Sequence, residues 1–144
     1  MQEEISNLIN KYYDDWFEIN KLYYVWAKKH NISQKALFVL LEILNMDTPC
    51  IQTSICEHTS YPKQTVSKIL NNLERQGLLK REINSIDKRN RIITLTSEGN
   101  LYAKSLLDEL KATEIKAFLL LTKDERETVI DGFHLLSDVL SRTF

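Results

Sequence analysis

The chain has little of what builds turn-rich or cross-linked folds: three glycines, two prolines and two cysteines in 144 residues. So few turn formers argue against a sandwich or a barrel, and equally against a disordered linker. Cys50 and Cys56 form no CxxC pair, and His30, His58 and His134 are too scattered for metal-ligand spacing. Neither a metal nor a cofactor is expected. The chain lacks an apolar run of about 18 residues, and it starts with acidic and polar residues rather than basic and then apolar ones. No membrane contact is expected, and the expected location is the cytoplasm. Neither a GxGxxG nor a P-loop pattern occurs, and no nucleophile, base and orienting residue stand in a familiar arrangement. Asp14-Asp15 and Asp124-Glu125 read as solvent-facing or helix-start carboxylates, so no enzyme is expected.

What remains is mostly helical. Ile5, Ile9, Tyr12, Trp16, Ile19, Tyr23 and Trp26 recur at alternating steps of four and three, which predicts one helix with a continuous apolar seam. A seam so long and so aromatic exceeds what a small domain buries, so a second chain is expected against it; the same chain's C-terminal helices are the alternative cover. Asn31 and Ser33 are candidate caps, and Ala36, Leu37, Leu40, Leu41 and Leu44 predict a helix over 33–45 that Asp47-Thr48-Pro49 ends. Residues 52–58 predict a short helix with Ile51, Ile55 and Cys56 inward. A turn over 59–62 follows, with Ser60 or Tyr61 near the cap and Pro62 in the first turn of the next helix.

That next helix, 62–76, buries Val66, Ile69, Leu70 and Leu73 and stops at Gly77. Its other face carries Lys63, Gln64, Thr65, Ser67, Lys68 and Asn71, short hydroxyl and amide side chains between lysines that can reach base edges or phosphates. Strands are expected over 78–83 and 92–95, joined by a basic loop with Asp87-Lys88-Arg89-Asn90-Arg91 at its end. Lys80 and Arg81 read as solvated strand ends. Although the net charge is -1, residues 62–91 hold eight basic residues against three acidic ones, so the charge is concentrated where a polyanion contact would need it. Thr96 is a candidate cap for a long helix with a stripe through Leu101, Ala103, Leu106, Leu107, Leu110, Ile115 and Phe118. Thr122-Lys123-Asp124-Glu125 has capping-box spacing and opens a last helix. Helix, basic hairpin and helix in succession is the layout of a winged helix-turn-helix, which reads double-stranded DNA with a helix in one groove and a wing in the next.

The pattern resembles the MarR family of bacterial transcription regulators. In that family an aspartate, any residue and an arginine precede five residues and then Leu-Thr with a nearby Gly, which stand here as Asp87, Arg89, Leu95, Thr96 and Gly99. Thr65-Val66-Ser67-Lys68-Ile69-Leu70 and Leu73-Glu74-Arg75-Gln76-Gly77-Leu78 resemble the recognition helix and its glycine stop. The resemblance implies a mainly α fold with a small β-wing: an N-terminal dimerisation helix over 1–32, a winged helix-turn-helix over 33–96, and C-terminal dimerisation helices over 97–144. It implies a homodimer on an inverted-repeat operator, most often as a repressor. Arg89 would enter the minor groove, with Asp87 orienting it by an ion pair or capping its own loop, and Lys88 and Arg91 would meet phosphates.

Relatives commonly respond to small aromatic or anionic effectors, for which Tyr13, Trp16, Phe17, Tyr24, His30 and Phe38 are the candidates here, core or interface packing being the alternative. Peroxide sensing through a cysteine near the start of the first helix is not expected, since none stands there. Cys56 reads as a packed thiol and Cys50, beside Pro49, as the more exposed one. The competing reading is a winged helix used only for protein contacts, against which the basic hairpin speaks.

Overall fold

The computed structural model describes residues 1–144 except Thr48. Along the chain come α1 (Gln2–Lys29), α2 (Gln34–Asn45), α3 (Gln52–Thr59), α4 (Lys63–Arg75), β1 (Leu79–Ile83), β2 (Arg91–Leu95), α5 (Ser97–Leu119) and α6 (Lys123–Thr143). Two compact units divide the chain, Met1–Lys104 and Ser105–Phe144.

The first unit is built around the helix-turn-helix. α1 ends where Asn31 turns left-handed (φ 57°), and α2 starts on Ser33, whose hydroxyl accepts the amide of Ala36. α2 ends at Asn45; of the expected stop at 47–49, Thr48 lies outside the described residues. Leu37, Leu40, Ile55, Leu70 and Leu79 are fully buried together with Val39 and Val66, each worth roughly 1.5–3 kcal/mol relative to exposure. The core therefore lies among α2, α3, α4 and the strands, the elements that carry the charged hairpin.

The turn between α3 and α4 differs from the sequence expectation. Ser60 is left-handed (φ 57°) and closes α3 by donating its amide to the Cys56 carbonyl, so it serves the end of one helix and not the start of the next. Pro62 is then the N-cap of α4, outside the first turn, and its carbonyl accepts the amide of Val66. α4 buries Val66, Leu70 and Leu73, with Ile69 only half-buried, and ends at Gly77 in the left-handed region (φ 73°).

β1 and β2 pair antiparallel from Leu79 opposite Leu95 to Ile83 opposite Arg91. β2 also has a partner on its other side: Ile51 bridges Ile92, and the Ile93 amide donates to the Cys50 carbonyl at 2.8 Å. A two-residue stretch has no alternation to read, which is why this third pairing left no mark in the sequence. From β2 the chain enters α5 through Thr96, whose hydroxyl accepts the Gly99 amide at 3.0 Å and donates to the Gly77 carbonyl at 2.6 Å. Thus the end of α4, the wing and the start of α5 meet at one residue. Along α5, Ala103 is buried, but Leu101 is 74% exposed and leaves the expected stripe.

In the second unit Leu106, Leu107 and Leu110 are buried, while Ile115 and Phe118 stay half-exposed. α6 begins with the capping box the sequence spells: Thr122 accepts the Glu125 amide, and the Glu125 carboxylate accepts the Thr122 amide at 2.7 Å. That bond holds the Glu125 carboxyl below its ordinary range.

Candidate nucleic-acid interface

α4 sends its polar side chains outward as a consequence of its buried edge. With Val66, Leu70 and Leu73 inward, a period of 3.6 places Gln64, Lys68, Asn71 and Arg75 on the opposite side. Lys63, Gln64, Ser67, Lys68 and Asn71 line one open surface groove, joined by Glu74 and Arg75. Thr65 is half-buried, as Ser67 is, and lines a neighbouring hollow with Asn31, Ser33, Lys68 and Ile69. Arg75 was absent from the expected set. The spacing 64, 68, 71, 75 would have found it.

Behind this face the wing is tied to the helix. Arg81 of β1 donates from Nε to Glu74 Oε2 at 3.0 Å, and from Nη2 to the same carboxylate and to Asn71 Oδ1. Its side chain is only 17% exposed. The expectation of a solvated strand end therefore fails for Arg81, because β1 passes beneath α4 and brings the guanidinium onto residues seven and ten positions earlier. Lys80 on the other face is solvated, paired with Glu82 at 3.0 Å with both side chains more than half exposed.

The loop between the strands is organised by Asp87. Its carboxylate accepts the backbone amide of Arg89 at 3.0 Å and the side-chain amide of Asn90 at 2.8 Å, while its carbonyl accepts the Asn90 amide. Asp87 thus caps its own loop and leaves the Arg89 guanidinium free of it. Asn90 in turn accepts the Thr53 hydroxyl at 3.1 Å, which anchors the wing to α3. Between them lies a groove of about 310 Å³ where Lys63, Arg81, Arg89 and Arg91 converge beside Gln52 and Cys56. Lys88 is exposed next to the tip. Four cationic side chains around one hollow, on the unit that also presents the α4 face, form a surface complementary to a polyanion.

Two of the six effector candidates, Tyr13 and Phe17, are in direct ring contact. Tyr13 stacks on Phe17 with centroids 6.4 Å apart, His30 stacks on Trp26 at 3.7 Å, and Phe38 packs against Tyr23 at 5.7 Å. Trp16 contacts Tyr12, and Tyr24 is half-exposed. The cysteines exchange their expected environments. Cys50 is 4% exposed, because the bond from Ile93 to its carbonyl draws it under β2. Burial first, and then the Glu42 carboxylate, push its thiol up to about 11. Cys56 is the more accessible of the two and faces the cationic groove. Among the described residues no group of His, Cys, Asp and Glu could hold a metal ion, and no helix is long and apolar enough to cross a membrane.

Comparison with known proteins agrees with this architecture. The HTH-type transcriptional regulator SarZ of Staphylococcus haemolyticus is 27% identical over 129 residues, covering 88% of this chain and 82% of its own. The structure of NMB1585, a MarR family regulator from Neisseria meningitidis, matches with a TM-score of 0.78 at 26% identity over 94% of this chain and 95% of that one. Reduced AbfR bound to DNA matches with a TM-score of 0.70 at 26% identity, over 97% and 99% of the two chains. Residues 30–90, which hold the helix-turn-helix and most of the wing, match the model of the MarR family. With that match at its centre and a shared fold across nearly its whole length, the chain is similar to regulators of the MarR family.

Proposed function

We propose that the protein is a transcription regulator that binds double-stranded DNA as a homodimer, at an inverted-repeat site, in the cytoplasm. The observation that carries this reading is the pairing, within one unit, of the amide and lysine face of α4 with the cationic groove of the wing. AbfR, at 26% identity, is solved bound to DNA, and SarZ is named a transcriptional regulator. In this reading α4 enters the major groove through Lys63, Gln64, Ser67, Lys68 and Asn71, Arg89 probes the adjacent minor groove, and Lys88, Arg91 and Arg75 meet phosphates. Thr65, on the flank of the same helix, is a further candidate contact. The chain binds and does not catalyse, and it represses where its site overlaps a promoter. The effector is not named; Tyr13, Trp16, Phe17, Tyr24, His30 and Phe38 remain its candidate contacts.

Residues 1–32 and 97–144 supply dimerisation, and 33–96 the DNA-binding part. Support comes from apolar surface that one chain leaves open. α1 buries only Ala27, while Ile5, Ile9, Trp16 and Ile19 are each about half exposed, and α6 buries nothing although Ile130, Phe133, Leu135 and Val139 lie along it. Two-fold symmetry would set two α4 helices about 34 Å apart, which requires an inverted repeat with half-sites roughly one helical turn apart.

Selection of bound fragments from a random DNA pool tests the reading. The expected result is one inverted repeat, bound with an affinity that falls by roughly 0.9 log units per neutralised phosphate for each tenfold rise in salt. A pool that yields no repeat, with a flat salt response, would favour a protein-contact module instead.

A further inference from the structure

Asn71 and Arg81 stand on different elements of the first unit, and their contact constrains what the asparagine can offer to DNA. The Arg81 guanidinium is gripped by Glu74 through Nε and Nη2, and Nη2 also donates to Asn71 Oδ1. Arg81 is only 17% exposed and is held by the carboxylate as well as by the amide. A guanidinium has donors and no acceptor, so the Asn71 amide turns its oxygen toward the protein. Its NH2 is left on the exposed groove that it shares with Gln64, Ser67 and Lys68.

The consequence concerns base choice. A free asparagine pairs with adenine by accepting from N6 and donating to N7. Here one lone pair of the oxygen is taken by a buried cation that turns it inward, so an adenine N6 amino group would have to share it, at a poorer angle, with the Arg81 amino group. Guanine offers N7 and O6, both acceptors, to the outward NH2. We infer that Arg81 sets Asn71 as a donor-only reader that selects guanine over adenine at the base it faces. The inference rests on the proposed entry of α4 into the major groove.

The test is selection from a random DNA pool with the full-length protein and two variants, Asn71→Asp and Arg81→Met, each checked for an intact thermal transition. The unaltered protein is expected to favour guanine over adenine by on the order of tenfold at one position of each half-site. Asn71→Asp keeps the bond to Arg81 but turns the outward donor into an acceptor, so the preference at that position moves to cytosine, whose N4 donates. Arg81→Met frees the amide, and adenine rises to equal or exceed guanine there. A folded Arg81→Met protein that keeps the guanine preference would overturn the inference, as would Asn71→Asp with every position unchanged. If Arg81→Met fails to fold, the result for Asn71→Asp decides alone. Failure of the unaltered protein to enrich any sequence removes the DNA-binding reading itself, and this inference with it; enrichment without the guanine preference removes only the inference.

Discussion

Gly99 lies against the backbone of Leu78 so closely that a Cβ on the glycine would stand 1.7 Å from the Leu78 carbonyl oxygen and 2.7 Å from its carbon. The same oxygen accepts the Thr96 amide at 3.0 Å, so the carbonyl cannot retreat without losing the joint between wing and α5. Gly99→Ala is expected to cost about 3 kcal/mol or more, because the obstacle is backbone on both sides. Gly77 offers the contrast: it is left-handed, but nothing lies within 4 Å of its missing Cβ. Gly77→Ala should therefore cost only about 1 kcal/mol of backbone strain. Urea unfolding of the two variants measures the difference, and equal losses would contradict the close approach at Gly99.

Asp87 invites a charge-against-shape test. If its task is to cap the loop through the amides of Arg89 and Asn90, an acceptor at that position is what matters. Asp87→Asn keeps an oxygen for the Arg89 amide and should bind DNA within about threefold of the unaltered protein, whereas Asp87→Ala should weaken binding roughly tenfold by loosening the wing. Fluorescence anisotropy with the selected operator separates the cases. Equal losses in both variants would restore an ion pair as its main role.

The elements that were legible in the sequence announce themselves locally. Ser33 three residues before Ala36, Gly77 after Arg75, and Thr122 three before Glu125 each act within one turn of helix, so spacing alone reveals them. What escaped depends on distant parts of the chain. Arg81 looks like any strand-end cation until α4 places Asn71 and Glu74 above it. Cys50 looks exposed beside a proline until β2 takes its carbonyl, and Ser60 looks like a cap until its backbone turns left-handed. On α4, periodicity located the outer face but not the second hollow that Thr65 and Lys68 line with Asn31 and Ser33, which depends on where the α1–α2 corner packs.

The two thiols should differ sharply toward alkylation. With its thiol pushed up to about 11, Cys50 is ionised at pH 8 only to about one part in a thousand, and it is buried as well. Cys56 faces the cationic groove. Under native conditions iodoacetamide is expected to label Cys56 first, with Cys50 reacting only after denaturation, as read by peptide mass spectrometry. Early labelling of Cys50 would mean that the Cys50–Ile93 pairing opens readily.

The capping box of α6 makes the stability of that helix depend on pH in a definite direction. Because the Thr122 amide lowers the carboxyl of Glu125, its contribution is fully present above the ordinary value of 4.5 and is lost as pH falls through the lowered folded value. Glu125→Gln should therefore narrow the gap in melting temperature between pH 7 and pH 3. Thr122→Ala, which removes the other half of the box, should cost about 1 kcal/mol at pH 7. An unchanged pH profile in Glu125→Gln would show that the box contributes nothing in solution.

The apolar seam of α1 gives the most direct check on assembly. Ile9 is 45% exposed and Trp16 52% exposed within one chain, so replacing both by glutamate leaves the fully buried core untouched. On the homodimer reading the same pair carries two charges per chain into the contact with the partner, where unpaired charge is costly. The double variant Ile9→Glu, Trp16→Glu is expected to sediment as a monomer at micromolar concentration. Its melting temperature should stop rising with protein concentration, because dimerisation no longer adds to folding. DNA affinity should fall at least a hundredfold, since two half-sites are then bound independently and their effective concentration is lost. A variant that still sediments as a dimer would move the contact off the α1 seam and onto α6.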